Sequence, residues 1–412
     1  MALSPYPDPH TAQAPRELSG WLVALMATAS GFVVANLYYA QPLLHEIALH
    51  FGVGSSEAAT VVTTTQIGYA VGLVFLVPLG DLFRRRSLVP VLFVAATLCL
   101  VVCAVAPSLW LFEVGTIVVG ATSIGGQVMI PFAAQLAPDA KRGRVVARMM
   151  TGLLLGILLA RTVSGSLAEL VGWRAIYWLS AILMLVFAVI LRRTLPGELE
   201  RPRHGYLRLV RSSFQFLATE PLLRYRAFLG ACSFAAFSLM WTALTFLLSG
   251  PPYNLSSGAI GLFGLVGVVG VLSANLAGRL ADAERATLVT VSTIVLTLIS
   301  FGLLSFGSTI LAGLLVGIVL LDVATQGIMI TNQAVIYGLH PDARSRINSA
   351  YMFSYFLGGA IGSATAGIVF SRAGWDGVCV LGGGFALLML VASQYERVRL
   401  GRARVPASVA AR

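Results

Sequence analysis

Apolar residues run along this chain in stretches long enough to cross a bilayer, separated by short polar loops. Twelve such stretches, each near the ~20 residues that a spanning helix needs, begin near Trp21, Ala58, Leu88, Leu109, Val145, Ala175, Leu222, Ser257, Leu288, Thr309, Ile347 and Val378. Polar positions are unevenly shared among them. Segments three, six, nine and twelve are almost wholly apolar, as in residues 88–106 and 175–191. Segment one carries Asn36, Tyr38, Tyr39 and Gln41, and segment two Thr63, Thr64, Thr65, Gln66 and Tyr69. Glu113 and Gln127 fall in segment four, Arg161 in five, Asp322, Gln326, Asn332 and Gln333 in ten, and Asn348, Ser354 and Tyr355 in eleven. Polar groups are expensive in hydrocarbon. The pattern therefore predicts a central aqueous cavity walled by the polar helices, with the four apolar ones as outer struts.

The pattern also repeats. Val77-Pro-Leu79-Gly-Asp81, closing segment two, has a counterpart in Gly278-Arg-Leu280-Ala-Asp282, 201 residues on. Pro138-Asp139-Ala140 recurs as Pro341-Asp342-Ala343, and Gly172-Trp173 as Gly374-Trp375, at offsets of 203 and 202. Three landmarks in one order and at one period predict a duplicated architecture, with a substrate site between two halves that rock against each other. Glycines at 258, 261, 264, 267 and 270 form a stripe along segment eight. Gly152 with Gly156 in segment five, and Gly358, Gly359 and Gly362 in segment eleven, add further places for close helix approach.

Composition agrees: 57% of residues are hydrophobic and 11% charged, against roughly 25% charged in soluble domains. The net charge of +11 is spread in a way that argues against a nucleic-acid partner. Basic residues gather in alternate loops, at Arg84-Arg85-Arg86, Lys141-Arg142-Gly143-Arg144, from Arg192 to Arg226, at Arg279 with Arg285, at Arg344 with Arg346, and from Arg397 onward. A nucleic-acid face would collect them on one soluble surface. The alternation instead follows the positive-inside rule and predicts a multi-pass protein of the bacterial inner membrane with both termini cytoplasmic. No small-residue cleavage site follows the first apolar run, which is expected to remain as a membrane helix.

Much chemistry is excluded. Lys141 is the only lysine, so no phosphate-binding G-x-x-x-x-G-K-[ST] loop exists, and H-E-x-x-H, C-x-x-C and G-x-S-x-G are absent. Cys99, Cys103, Cys232 and Cys379 all lie in apolar segments and read as buried small hydrophobes. No enzymatic activity, cofactor or metal is expected.

The loop Val77-Pro-Leu79-Gly-Asp81-Leu-Phe-Arg84-Arg85-Arg86 resembles the G-x-L-a-D-R-x-G-R-R signature of the major facilitator superfamily. Leu79, Asp81, Arg85 and Arg86 match it, and the second copy, through Asp282-Ala-Glu284-Arg285, keeps the first glycine as Gly278. Asn36-Leu-Tyr38-Tyr39-Ala-Gln41-Pro42 and the stretch from Gly156 to Gly165 are similar to a drug-exporter-like bacterial branch. The chain departs from that branch's antiporter motif, which carries Gly-Pro where Ala160-Arg161 stands, and has Asn36 where many drug/proton antiporters place an acid. The resemblance implies an all-α fold of twelve membrane helices in two pseudo-symmetric six-helix bundles, working by alternating access as a monomer. It also implies a cytoplasmic gate of ion pairs and helix-end contacts around Asp81, Arg84, Arg85, Arg86, Gly278, Asp282 and Arg285.

The expected layout is a tail at 1–17, bundles at 18–193 and 221–396, a linker at 194–220, and a basic tail at 397–412. Leu207, Val210, Phe214 and Leu217 share one helical face beside Arg208 and Arg211, which predicts an amphipathic helix at the lipid headgroups.

Asp322 lies 13 residues into segment ten, roughly 20 Å deep at ~1.5 Å per residue. A carboxylate there either takes up a proton or pairs, which makes it the candidate for the coupling H+ or a cationic substrate group. Arg161 keeps its charge and needs an anionic partner, and Glu113, Asp322 and a bound anion are the candidates. Asn36, Tyr39, Gln66, Gln127 and Gln326 are expected to supply hydrogen bonds in the cavity, and Trp241 an aromatic face. The function expected is secondary transport, with proton-coupled export of small organic or drug-like molecules placed first. An organic-anion carrier using Arg161, by uniport or exchange, and a non-transporting membrane sensor are the alternatives.

Overall fold

The computed structural model describes residues 19–197, 205–267, 286–340 and 343–403, and among these it is built from helices and their connections. The first half contains α1 (Gly20–Ala35), α2 (Leu44–Phe51), α3 (Ser55–Phe75), a single turn α4 (Leu79–Leu82), α5 (Arg85–Val105), α6 (Leu109–Thr122), α7 (Gly125–Leu136), α8 (Asp139–Val171) and α9 (Ala175–Thr194). The linker forms α10 (Tyr206–Thr219). The second half follows with α11 (Pro221–Ser249), α12 (Ser257–Leu262), α13 (Ala286–Leu304), α14 (Leu311–Tyr337) and α15 (Arg344–Ala403). Nine described stretches are long and apolar enough to cross a membrane. One of them, Arg346–Gln394, has 49 residues and is broken at Gly374 into two arms. With its arms taken separately, and with the shorter apolar helices Gly20–Ala35 and Ser257–Gly267, the described residues supply all twelve expected segments.

Local chemistry sets the starts. Ser19, Ser108 and Ser256 lie just before α1, α6 and α12, and each side-chain oxygen accepts an amide proton from the first turn. Such caps satisfy donors that a helix start leaves unpaired. Segment four is divided at Ser123 and Ile124, so it crosses as α6 and α7 in tandem.

The duplication has a backbone cause at its clearest landmark. Gly172 holds φ 92 and ψ 154, and Gly374 φ 62 and ψ −158. Both lie in a region that only glycine enters without strain. Each turn delivers a buried tryptophan, Trp173 or Trp375, into its own half. Helix packing repeats as well. Gly156 and Gly358 stand 202 residues apart, and each lets its helix meet the first helix of the same half backbone to backbone. A Cβ on Gly156 would lie 2.1 Å from the Gly31 carbonyl oxygen in α1, and one on Gly358 2.1 Å from that of Ala231 in α11.

The struts face outward as the pattern predicts: Leu98 in α5, Ile182 in α9, Leu288 in α13 and Val391 in the second arm of α15 are exposed. Contacts between the halves follow a different rule. The basic loops mark one end of the bundle. The direct helix contacts between halves gather toward the other, where α8 ends and α3 and α12 begin. Gly165 of α8 meets the Ser257 backbone of α12, and Gly367 of α15 meets Ser55 and Ser56 of α3. Thr162 donates to the Gly261 carbonyl at 3.0 Å, Thr63 and Ser363 share a bond of 2.9 Å, and Gln66 donates to Ser238 at 2.8 Å. Near the basic end α10 lies across both halves. Tyr206 donates to the Phe75 carbonyl of α3 at 2.9 Å, and Phe214 packs on Phe353 of α15.

Candidate functional site

The halves enclose a cavity of about 750 Å³ that extends from Arg161 and Asp322 to Arg85, Gln135, Tyr337 and Arg344 at the basic end. Its deep end is built from three helices, α8, α11 and α14, together with the chain just after α1. Arg161 of α8 is buried, with only 4% of its surface exposed. Its Nε donates to Oε1 of Gln41 at 2.6 Å. The guanidinium carbon lies 4.1 Å from the Trp241 ring centroid, 4.9 Å from that of Tyr38 and 5.9 Å from that of Phe237. Rings of this kind attract a cation through their negative faces. Nη2 of Arg161 is buried without a hydrogen-bond partner.

Asp322 of α14 sits at the Nε1 edge of the same indole, accepting from Nε1 of Trp241 at 3.3 Å. It lies close to Gly267, where a Cβ would come within 2.8 Å of Oδ2. Trp241 thus bridges the two charges, stacking on one and donating to the other. It belongs to the second half and Arg161 to the first, so their contact spans the interface. Gln41 extends that bridge, because its main-chain oxygen accepts from Thr245 of α11 at 2.6 Å.

The remaining expected residues divide. Gln127 and Gln326 line the cavity with Asp322 and Arg161. Asn36 and Tyr39 are buried on the Ser180 side of the first half, where Ser180 donates to Asn36 Oδ1 at 2.6 Å, and neither lines the cavity. Gln66 joins the halves through Ser238 and sits off the wall. Glu113 accepts from Thr60 between α6 and α3, so the considered Glu113–Arg161 pair is not made. At the basic end Arg85 is buried, donating to Gln135 at 2.9 Å and to the Gly80 carbonyl at 3.2 Å, while Arg84 and Arg86 are exposed. The Asp81 side chain and residues Gly278, Asp282 and Arg285 lie outside the described part of the structure.

Tyr38, Gln41 and Phe237 complete the Arg161 surroundings and were not among the expected site residues. Their signal in the sequence was weak: a glutamine and a tyrosine in segment one, and a phenylalanine one turn before Trp241. Arg226, grouped by the sequence with the basic linker, is instead buried in the second half. It donates to Thr290 at 2.9 Å and to Asn332 at 3.3 Å.

Comparison with known proteins places this architecture. Residues 22–331 match the Major Facilitator Superfamily. The chain is 46% identical over 375 residues to "Uncharacterized transporter YgaY" of Escherichia coli O157:H7, covering 91% of this chain and 95% of that one. It is 34% identical over 383 residues to "Probable transporter SCO4007" of Streptomyces coelicolor, covering 91% and 87%. Its fold resembles the crystal structure of a bacterial homolog to the human lysosomal transporter Spinster in an inward-facing and occupied conformation. That likeness has a TM-score of 0.70 at 12% identity, and covers 91% of this chain and 95% of that chain.

Proposed function

The chain belongs to the Major Facilitator Superfamily, and from that premise we propose that it is a secondary active transporter that exports a small organic molecule in exchange for protons by alternating access. The observation that carries this reading is the asymmetry of the cavity. It reaches the basic end, whereas contacts between the halves gather at the opposite end. By the positive-inside rule the basic end is cytoplasmic, so the conformation described is inward-facing.

The closure has the right strength to be reversed. Thr162 to Gly261, Thr63 to Ser363, Gln66 to Ser238, Thr245 to Gln41 and Ser256 to Glu169 are hydrogen bonds between the halves. At about 0.6 kcal/mol each in a membrane protein, they contribute roughly 3 kcal/mol together. Cargo or a proton that binds the two states with different affinity can supply an energy of that size.

Asp322 is the coupling group in this reading. It is the carboxylate among the described residues that line the cavity, and the guanidinium of Arg161 keeps its proton. Protonation of Asp322 would weaken its attraction across the indole to Arg161, and so loosen a contact that holds the halves together. The test is proton movement in energised inverted membrane vesicles during addition of candidate substrates, with Asp322→Asn beside the wild type. A substrate that collapses the pH gradient only with the wild-type protein supports the reading. Labelled substrate that exchanges without any proton movement removes proton coupling.

A further inference from the structure

We infer that the cargo bound at the deep end of the cavity carries a single carboxylate on an apolar, ring-sized body, with the guanidinium of Arg161 as the group that receives it. The inference rests on the transport reading only in taking this cavity as the cargo site.

Three observations converge. First, a buried guanidinium that lines the cavity carries an unpaired donor. Its Nε is held by Gln41 and its faces are covered by Trp241 and Tyr38, but Nη2 has no partner. A buried donor without an acceptor is costly, and one on a charged group more so. A carboxylate oxygen supplies the missing acceptor as a charge-assisted hydrogen bond. Because Gln41 fixes the fork at Nε, the guanidinium is oriented before any ligand arrives.

Second, the charges on the described lining of the cavity favour an anion. Among the described residues, the charged ones lining it are Arg85, Arg161, Arg344 and Asp322, three positive and one negative. A passage lined mainly by one sign raises the local concentration of the opposite sign. Asp322 sets the limit on ligand charge. It shares Trp241 with Arg161, so a dianion such as a phosphate monoester would meet its repulsion with one guanidinium to compensate. One negative charge fits better than two.

Third, the wall between Arg161 and the mouth suits an apolar body. Leu154, Ile157, Leu158, Met329 and Phe356 contribute to it, with Gln127 and Gln326 as the nearby amides. Pockets of about 300–1,000 Å³ hold small molecules in this manner, with a few polar groups fixing orientation. A primary ammonium of the same size would leave Nη2 of Arg161 unsatisfied.

The experiment is equilibrium binding of tritiated 4-phenylbutyrate to the purified full-length protein. Unlabelled phenyl- and alkyl-carboxylates of four to ten carbons, 4-phenylbutylamine and 4-phenylbutyramide serve as competitors. Carboxylates are expected to bind saturably, with the amine and the amide at least tenfold weaker. Arg161→Gln should lose at least tenfold in carboxylate affinity, with partial recovery in Arg161→Lys. The wild-type ligand series needs no variant, so a variant that fails to fold does not disable the test. No carboxylate binding across the panel, or an amine or amide that binds as tightly, overturns the inference. Flux in proteoliposomes separates the two levels. Carboxylate binding without flux keeps the site and removes the transport reading, whereas amine flux insensitive to carboxylates keeps transport and overturns the anion site.

Discussion

Replacing Gly165 by alanine should drive the protein out of the conformation described. Gly165 lies where α8 of the first half meets α12 of the second, and a Cβ there would stand 2.2 Å from the Ser257 carbonyl oxygen and 3.1 Å from the Gly261 Cα. Ordinary van der Waals contact begins near 3.4 Å, so the helices must part by about 1 Å, and backbone atoms cannot yield by a rotamer change. Overpacking of this kind costs about 1–3 kcal/mol. The cost falls only on states in which α8 and α12 touch. In the alternating-access account those are the inward-facing states, so the outward-facing population should rise about 5- to 150-fold. Spin labels at exposed, far-end positions Leu49 and Phe306, in a background with Cys99, Cys103, Cys232 and Cys379 replaced by alanine, report this as a growing long-distance population. Gly156→Ala is the matched control. Its Cβ would press equally hard on the Gly31 backbone, but within one half, so it should lower the melting temperature and leave the distances unchanged. A folded Gly165→Ala protein with the wild-type distance distribution would refute the idea that this contact closes the outer side.

Other predictions follow from the same geometry. Gln41→Ala strips the acceptor from Arg161 Nε, at about 1–3 kcal/mol for a buried donor left unpaired; the melting temperature should fall, and a bound carboxylate should raise it less than in the wild type, because the guanidinium is no longer held in place. Gly172→Ala and Gly374→Ala each force a side chain into glycine-only backbone space, at about 1–3 kcal/mol; denaturation should show the two losses adding, since the turns lie in different halves. Exchange of an exported monocarboxylate for an entering proton moves two charges per cycle. At ~2.3 kcal/mol per charge per 100 mV, clamping the potential with valinomycin and potassium should slow export strongly, and an electroneutral cycle would reject that stoichiometry.

Legibility in the sequence followed how local each cause was. The Gly-Trp turns were readable because a backbone requirement at Gly172 and Gly374 leaves a residue-level trace. The apolar struts were readable because α5, α9 and α13 expose side chains to lipid on their outer faces. Depth along a helix singled out Arg161 and Asp322. Rotation about the helix was harder to read, and rotation decides partners. Asn36 lies only two residues from Tyr38, yet it bonds Ser180 inside the first half while Tyr38 faces Arg161. Glu113 and Arg161 share a plausible depth, yet α6 turns Glu113 toward Thr60. The Gln41 bridge depends on a 3-10 turn at Gln41–Leu43 and on Thr245 of the other half, and no spacing in a single segment announces it. In the sequence Arg226 is indistinguishable from its basic neighbours, and only the packed second half shows it buried against Thr290 and Asn332.

The central claim is that Asp322 couples a proton to movement of cargo held at Arg161. Its most direct test is uptake of labelled 4-phenylbutyrate into proteoliposomes under an imposed pH gradient, compared between wild type and Asp322→Asn. The account predicts that the wild-type protein concentrates the carboxylate beyond equilibrium, while Asp322→Asn exchanges it across the membrane without concentrating it. Equal accumulation by both proteins would contradict the account, and so would a wild-type protein that only equilibrates its cargo.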